Sequence, residues 1–103
     1  MKRGEIRWYR FRAPDKRRPV VVLTRDSILE YLREVTIAPL TRTIREIRSE
    51  VVVGPEDGVP QYCAINLDHV QTVSKDQLGE VITTLTNARM SEVREALLFA
   101  LGY

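Results

Sequence analysis

Alternating apolar and polar positions open the chain. In "GEIRWYRF", Ile6 and Trp8 alternate with polar side chains, which is the period-two pattern of a strand with one buried face. The segment "PVVVLT" at 19–24 is instead a continuous run rich in β-branched residues, typical of a strand buried on both faces. The sequence therefore predicts two strands separated by the polar segment "RAPDK".

The middle of the chain predicts one short helix and several short strands. "SILE" at 27–30 has the spacing of a capping box, which favours a helix from 27 to about 33. "VTIAPLT" at 35–41 is a third strand, in which Pro39 marks a bulge or an edge. Further strands follow in "SEVVVG", in "YCAINLDHVQTVS", which holds one or two, and in "GEVITTL", with turn signals in "GPEDGVP".

The last segment, "TNARMSEVREALLFALGY", predicts an amphipathic helix. Thr86 is a suitable N-cap and Gly102 a suitable stop. One helical face collects the apolar residues Met90, Val93, Leu97, Ala100 and Leu101. Many short strands, a small mid-chain helix and this C-terminal helix predict a single α+β domain, 1–103, built on a small, strongly bent β-barrel.

Composition excludes several classes of protein. A chain of 103 residues builds one core. Its longest apolar runs are too short to cross a membrane, and "MKRGEIRWYRF" lacks the apolar segment of a secretory signal. The single cysteine, Cys63, cannot form an internal disulfide and suits a reducing compartment. A cytoplasmic protein without membrane association is expected.

Charge is distributed unevenly, although the net charge is only +2. A net charge of this size does not by itself indicate a nucleic-acid partner. Eight Lys or Arg and two acids fall within residues 1–18, and Arg42, Arg45 and Arg48 form a second cluster. This distribution is compatible with one basic face and equally with scattered solvated charges.

Arg18 and two threonines near residue 41 are candidates for contacting phosphate. Pro19 disfavours the α-helical region for Arg18, so this arginine is held extended at a strand end. Its guanidinium can clamp two oxygens of a phosphodiester. Thr41 and Thr43 end the third strand, and a hydroxyl there can donate to phosphate. Taken singly, a solvated arginine and ordinary strand threonines explain these residues more simply.

The histidine and cysteine content limits the possible catalytic mechanisms. His69 is the only histidine, which excludes a mechanism with a histidine acid and a histidine base in one chain. It either pairs with Asp68 or contacts a ligand. Cys63 is assigned to the core, and the sequence has no metal-ligand spacing, so no metal site is expected. Tyr9 is the better candidate for stacking on a base, since Trp8 is assigned to the core.

The order and spacing of these segments resemble the MazF/PemK family of bacterial toxin endoribonucleases. The resemblance runs through "KRGEIRW", "RRPVVVLT", "VTIAPLTRTIR", "SEVVVG", "LDHVQTVSKDQLGEV" and "MSEVREALLFALG". It implies an SH3-like or CcdB-like barrel, a homodimer, and cleavage of single-stranded RNA at short sequences without metal or cofactor. It also implies a cognate MazE-like antitoxin, whose acidic, extended tail would occupy the basic groove.

The resemblance also implies the site residues. The arginine of the family's R-P pair falls at Arg18 and its serine or threonine after the third strand at Thr41, so these two are the expected catalytic residues. His69 falls where the family often has a glutamine that contacts RNA, Gln71 replaces a common arginine, and "RAPDK" replaces a segment that contacts RNA. The expected RNA-binding residues are Tyr9, Lys16, Arg17, Arg42, Thr43, His69 and Gln71.

The expected mechanism uses the nucleophile that RNA itself carries, the 2′-hydroxyl. Its attack leaves a 2′,3′-cyclic phosphate and a 5′-hydroxyl, with Arg18 stabilising negative charge and Thr41 donating a hydrogen bond. The general acid and base stay unassigned. Two alternatives remain. One is a CcdB-like toxin that acts on DNA gyrase, whose C-terminal tryptophan is missing from "ALLFALGY"; the other is an inactive RNA-binding barrel.

Overall fold

Seven strands and two α-helices make up the part of the chain that the computed structural model describes, residues 1–11 and 17–103. The "RAPDK" segment, which ends with Lys16, lies outside the described residues. This is the predicted α+β class, and each predicted strand is present. The elements are β1 (Glu5–Arg10), β2 (Arg17–Val22), α1 (Asp26–Leu29), β3 (Glu34–Thr41), β4 (Glu50–Val53), β5 (Cys63–Asn66), β6 (Gln71–Ser74), β7 (Leu78–Thr84) and α2 (Asn87–Leu101).

The first helix is shorter than the sequence predicted. It begins at Asp26 and no side chain caps its N-terminus, so the predicted capping box at Ser27 is wrong. Tertiary contacts fix both ends instead. Asp26 Oδ1 accepts from the backbone N–H of Arg3 at 2.6 Å, and Lys75 Nζ donates to Leu29 O at 2.6 Å. The helix therefore ends where the neighbouring segments bind it.

The central strand of the antiparallel sheet is β3. The strands follow the order β4-β5-β3-β2-β1-β7, and β6 pairs separately with β3. The first part of β3 pairs with β6, whereas its last two residues, Leu40 and Thr41, pair with β5. Pro39 lies between these two segments, where a residue without a backbone N–H interrupts the ladder least. Among the described residues β4 and β7 do not pair with each other, so the pairing does not form a closed ring.

Hydrophobic side chains pack on both faces of the sheet. Val20, Val21 and Val22 of β2 are fully buried, which confirms the prediction of a strand covered on both sides. Val21 packs in a cluster that includes Val93 of α2, whereas Val20 and Val22 pack in a cluster that includes Leu29 of α1. Burying each such side chain contributes about 1.5–3 kcal/mol. The position of β2 is therefore fixed from both sides.

The ends of α2 are set by the residues that the sequence predicts. Thr86 Oγ1 accepts from the backbone N–H of Arg89 at 3.2 Å, as an N-cap does. Gly102 ends the helix with a φ of 83°, a conformation that glycine adopts without strain. Both predictions are confirmed.

Most of the predicted face of α2 packs on the core. Val93 is buried, and Met90, Leu97 and Ala100 are partly buried against the same cluster. Ala96 is also buried and was not predicted on that face. Leu101 was predicted there and is 56% exposed. The helix docks on β4 and on the 3₁₀ turn Leu67–His69 through its middle turns. No helix within the described residues has the length and apolar content needed to cross a membrane.

An ion pair fastens the turn after β4 to α2. This turn is the 3₁₀ segment Pro55–Asp57. Arg89 donates from Nε to Asp57 Oδ1 at 2.8 Å and from Nη2 to Oδ2 at 3.1 Å, and the backbone N–H of Gly54 donates to Oδ2 at 3.0 Å. Hydrogen bonding from Arg89 lowers the pKa of Asp57 and outweighs burial, which acts in the opposite direction. The turn and the helix are thus held together as one unit.

The same turn leaves no room for a side chain at Gly54. A Cβ atom there would overlap the ring carbons Cδ1 and Cε1 of Tyr62 and would lie 2.8 Å from Glu56 Oε1. The φ of Gly54 is −159°, which is ordinary extended backbone. The constraint is therefore steric, and the Tyr62 ring packs directly on the main chain of the turn.

Replacing Arg89 tests the ion pair. We expect Arg89→Leu to lower the free energy of unfolding at pH 7 by about 1–3 kcal/mol, because Asp57 loses its charged partner. The folded-state pKa of Asp57 lies below its ordinary value of 3.8. The contribution of the pair is therefore complete above that value and is lost as the pH falls through the lower, folded-state pKa. Urea unfolding at pH 7 and at about pH 2 should show a large difference from wild type at pH 7 and a small one at about pH 2.

The matched control for this prediction is Arg94→Leu on the same helix. The Arg94 side chain is 73% exposed and its Nη1 lies 3.8 Å from Glu95 Oε2. Its removal should change the free energy of unfolding by less than about 0.5 kcal/mol at both pH values. An equal loss for Arg89→Leu at pH 7 and at about pH 2 would show that Arg89 acts through packing and not through its charge.

Adding one methyl group at Gly54 tests the contact with Tyr62. We expect Gly54→Ala to destabilise the fold by about 1–3 kcal/mol through overpacking. The double variant Gly54→Ala/Tyr62→Ala should be no less stable than Tyr62→Ala alone, because the clash is gone. Gly79→Ala is the control, since its Cβ would lie at the ordinary distance of 3.4 Å from Trp8 O. Additive losses in the double variant, measured by urea unfolding, would contradict the steric explanation.

Candidate active site

A cavity of about 260 Å³ opens where β2 and β3 meet the segment that leads into β5. One wall is apolar and consists of Trp8, Pro19 and Leu40. Trp8 pairs with Pro19 across β1 and β2, and the antiparallel register of β2 and β3 places Leu40 next to Pro19. Residues 59–63 form the second wall. Strand register therefore builds one side of the cavity and a turn builds the other.

The cation of β2 that faces this cavity is Arg17. Alternate residues of a strand point to opposite faces, so Arg17 shares a face with Pro19 and not with Arg18. The Arg17 guanidinium lies 4.8 Å from the ring centroid of Trp8, a cation–π contact that holds it over the apolar wall. The two arginines before Pro19 thus point to opposite sides of the sheet.

The polar side chain at the end of β3 is Thr41, which lines the cavity together with Arg42. Pairing with Ala64 of β5 fixes the backbone of Thr41. The backbone N–H of Thr43 donates to Thr41 Oγ1 at 3.2 Å, so the hydroxyl proton remains available to donate to a ligand. Arg42 is exposed and brings a second positive charge to the cavity.

The expected catalytic arginine, Arg18, does not line this cavity. It is exposed and pairs with Tyr9 of β1. Continuing the β2–β3 register two residues beyond the last observed pair places Arg18 opposite Thr41. The observed pairing stops at Val20 and Pro39, so this is the position that an uninterrupted ladder would give, with both side chains on one face of the sheet. In the structure Thr41 lines the cavity and Arg18 does not.

Tyr9 lies on the same face of the sheet as Arg18. Its ring makes an edge-to-face contact with Phe11, with centroids 4.7 Å apart, and its hydroxyl donates to Gln77 Oε1 at 3.3 Å. These residues and Arg10 line a second cavity of about 610 Å³. Tyr9 is therefore separated from the cavity that contains Thr41.

The predicted RNA contacts His69 and Gln71 do not line the Thr41 cavity either. Both are exposed, His69 at the end of the turn after β5 and Gln71 at the start of β6. Asp68 Oδ2 accepts from Ser49 Oγ at 2.6 Å. Hydrogen bonds among the described residues do not include an Asp68–His69 pair, which the sequence had left open. Neither His69 nor any other described His, Cys, Asp or Glu belongs to a metal-binding group of three.

The three arginines of the second basic cluster differ in their partners. The backbone N–H of Arg45 donates to Oε1 of the buried Glu50 at 3.0 Å, and its Nη1 donates to Oε2 at 3.2 Å. Arg48 lies 4.3 Å from the ring centroid of Phe99. Within residues 1–11 and 17–103, Arg42 forms no ion pair. Of this cluster, Arg42 is the charge that is directed to the cavity.

Tyr62 and Gln61 line the cavity although the sequence did not single out either residue. Of these two, Tyr62 is the larger side chain. Its side chain is 59% exposed although its ring packs on Gly54. Its signal in the sequence is an aromatic residue inside the turn-rich segment "GVPQYC". Cys63 beside it is buried, and burial raises the pKa of its thiol, so this part of the cavity is neutral near pH 7.

Comparisons with known proteins identify the family. The model of the family described as "PemK-like, MazF-like toxin of type II toxin-antitoxin system" matches residues 2–101. The chain is 44% identical over 96 residues to the probable endoribonuclease MazF5 of Mycobacterium tuberculosis, covering 92% of this chain and 87% of that protein.

Solved structures agree with this match. The Mycobacterium tuberculosis toxin MazF-mt6 superposes with a TM-score of 0.87 at 33% identity, covering 95% of this chain and 96% of that chain. An endoribonuclease from a mycobacterial species, solved in complex with its cognate antitoxin, superposes with a TM-score of 0.86 at 28% identity, covering 99% and 95%. The chain therefore belongs to the PemK/MazF family of toxins from type II toxin–antitoxin systems.

Proposed function

We propose that this chain is an endoribonuclease, the toxin of a type II toxin–antitoxin pair, and that it cleaves single-stranded RNA at the cavity that contains Thr41. The observation that carries the proposal is the placement of the Thr41 hydroxyl in a cavity flanked by Arg17 and Arg42. A relative named as a probable endoribonuclease, 44% identical over 96 residues, supports it.

The proposed reaction is attack by the 2′-hydroxyl of RNA on the adjacent phosphorus. The 2′-hydroxyl loses its proton, the O2′–P bond forms and the P–O5′ bond breaks. The leaving 5′-oxygen takes up a proton, so the products are a 2′,3′-cyclic phosphate and a 5′-hydroxyl. The protein must hold the 2′-oxygen in line with the leaving oxygen and stabilise the charge that builds up on phosphorus. Both tasks are electrostatic and geometric, and neither requires a covalent intermediate.

Thr41 and Arg18 are the proposed catalytic residues. Because Thr41 Oγ1 already accepts from the N–H of Thr43, its own proton is available to donate to a non-bridging phosphate oxygen. Arg18 is held extended before Pro19, and continuing the β2–β3 register beyond Val20 and Pro39 would bring it opposite Thr41. From there its guanidinium stabilises the developing negative charge. The general acid and base are left unassigned.

The remaining polar residues are proposed to bind the RNA strand. Arg17 and Arg42 contact phosphates on either side of Thr41, and Lys16 and Thr43 extend this contact along the backbone. Outside the cavity, the exposed His69 and Gln71 contact RNA along β6, and Tyr9 stacks on a base beside Arg18.

The proposal includes the assembly and the surroundings of the protein. A cognate MazE-like antitoxin places an acidic, extended tail on the cations that bind RNA and so competes with it. The solved complex of a mycobacterial endoribonuclease with its cognate antitoxin supports an antitoxin partner. We also propose that the protein is a homodimer in the cytoplasm and that residues 1–103 form a single domain. Its sheet is proposed to bend into a small SH3-like barrel, and its C-terminal helix is proposed to be amphipathic.

Cleavage of a long single-stranded RNA in EDTA tests the catalytic residues. Wild type should cut at one short sequence and leave 2′,3′-cyclic phosphate ends. Arg18→Ala and Thr41→Val should lower the rate by about 10²–10³, because each removes one donor to the transition state. Thr41→Ser keeps the hydroxyl and should retain most of the activity. Cut sites and end groups are read by primer extension and by phosphatase sensitivity.

The control for these variants is Arg25→Ala, an exposed arginine next to α1 that does not line the cavity. It should cut as fast as wild type. A requirement for metal, or equal cutting by Thr41→Val and Thr41→Ser, would reject the proposed roles. If wild type leaves the RNA intact, it should next be tested on total cellular RNA and in a gyrase assay. Total RNA that also stays intact would favour one of the alternatives, the CcdB-like toxin if gyrase is affected and the inactive barrel if it is not.

Salt dependence of binding tests the strand-contacting arginines. RNA that carries a 2′-deoxy nucleotide at the cut site binds but lacks the nucleophile. We expect Arg17→Gln and Arg42→Gln each to reduce the slope of log Kd against log salt by about 0.7, the value for one phosphate contact on a single strand. Arg45→Gln is the control, because Arg45 is bound to Glu50. An unchanged slope for Arg17→Gln and Arg42→Gln would show that neither contacts phosphate.

A further inference from the structure

The Tyr62 ring is a fixed surface in the wall of the Thr41 cavity. It packs on the main chain at Gly54, where no side chain fits. The turn behind it is held by the backbone N–H of Asp57, which donates to Gly54 O at 2.8 Å, and by the ion pair of Asp57 with Arg89. The ring is therefore supported from behind, while much of its surface stays exposed.

The opposite wall is apolar and equally fixed. Trp8 and Pro19 are a cross-strand pair in the middle of the sheet, and Leu40 lies beside them in β3. The space between the walls is about 260 Å³, below the roughly 300–1,000 Å³ of sites that enclose a whole drug-sized ligand. A cavity of this size accepts one small planar group.

Two arginines and one amide side chain also line this cavity. Arg17 and Arg42 bring positive charge to it, and Gln61 contributes an amide that can donate and accept hydrogen bonds. The buried Cys63 thiol is uncharged near neutral pH. The ligand that matches this arrangement has a flat, uncharged body with hydrogen-bonding groups at its edge and a negative charge next to it.

We infer that this cavity is a binding site for one nucleobase of the RNA, next to the cleaved phosphodiester, with Tyr62 as its stacking surface and Gln61 as the side chain that contacts its edge. The inference rests on the proposed function and extends it from the chemistry to the selection of sequence. Neither Tyr62 nor Gln61 belongs to the catalytic or strand-contacting residues described above.

A nucleobase satisfies each feature of the cavity. Bases of single-stranded RNA are unstacked, and proteins bind them by stacking on aromatic rings and by hydrogen bonds to their edges. The phosphates on either side of the base would lie near Arg17 and Arg42, which supplies the required charge complementarity. A base bound here also places its own ribose and phosphate beside Thr41, which is the position that the reaction requires.

A cycle of two changes, one in the protein and one in the RNA, tests the inference. The substrate is the sequence that wild type cuts, with an abasic nucleotide introduced at each position around the cut in turn. At one position the missing base should lower kcat/KM of wild type by roughly 5- to 150-fold, the range expected for one stacked base. Tyr62→Ala should lose a similar factor on intact RNA. The two losses should not multiply when combined, because they remove the same contact.

Matched variants separate stacking from other effects. Tyr62→Phe keeps the ring and should cut as wild type does. Tyr31→Ala removes an exposed tyrosine that does not line the cavity and should also cut as wild type does. Gln61→Ala should broaden the preference for a base at the same position that the abasic scan identifies, as read from cut sites in a random-sequence RNA pool.

The outcomes distinguish this inference from the proposed function. If wild type cuts RNA but the losses in kcat/KM from Tyr62→Ala and from the abasic nucleotide multiply at every position, the inferred base site is wrong. The proposed nuclease activity is then unaffected. If wild type cuts no RNA, the proposed function fails. Trp8, the single tryptophan of the chain, then tests the cavity alone. Quenching of its fluorescence by a short RNA, but not by a fully abasic strand of the same length, supports the base site, and an equal response overturns it.

Discussion

The site depends on one constraint, the change of partner in the middle of β3. This strand pairs with β2 along one side, while on the other side it pairs first with β6 and then, beyond Pro39, with β5. Proline cannot donate to either neighbour, so it occupies the position where the ladder is interrupted. Because Thr41 then pairs with the first part of β5, the segment that leads into β5 passes alongside Trp8 and forms the second wall. The cavity is therefore a direct consequence of strand pairing.

A second constraint is where the partner of each arginine lies. Arg45, Arg48 and Arg89 are each bound away from the cavity, by Glu50, by the ring of Phe99 and by Asp57. These arginines hold loops and α2 in place, and their charge is not directed to the cavity. Arg17 lies over Trp8, which is itself a wall of the cavity, and Arg42 lines the cavity too. The small net charge of the chain thus conceals a local concentration of positive charge, and position rather than total charge decides what the surface can bind.

The sequence predicts the strands well because their signals are local. Alternation in β1 and the β-branched run of β2 specify burial without knowledge of any neighbour. The end of α1 is not predictable in this way, because hydrogen bonds from distant residues set it and override the capping pattern at Ser27. The direction of Arg17 and the role of Tyr62 as a wall require the register of three strands and the packing on Gly54. The catalytic roles proposed for Arg18 and Thr41 rest on family resemblance, since neither residue type is distinctive alone.

The proposed chemistry explains why such a site can be rigid. RNA carries the nucleophile, so the protein has to position a phosphate and a base, and fixed strand ends position groups well. Thr41 belongs to the sheet, whereas Tyr62 and Gln61 belong to the segment behind the Asp57–Arg89 ion pair. The groups proposed to act on phosphate and the groups proposed to select a base therefore lie on different elements. It follows that substitutions in the turn can change which RNA sequence is cut without altering the cleavage reaction. Breaking the Asp57–Arg89 ion pair should accordingly affect the preference for a base before it affects the rate of cleavage.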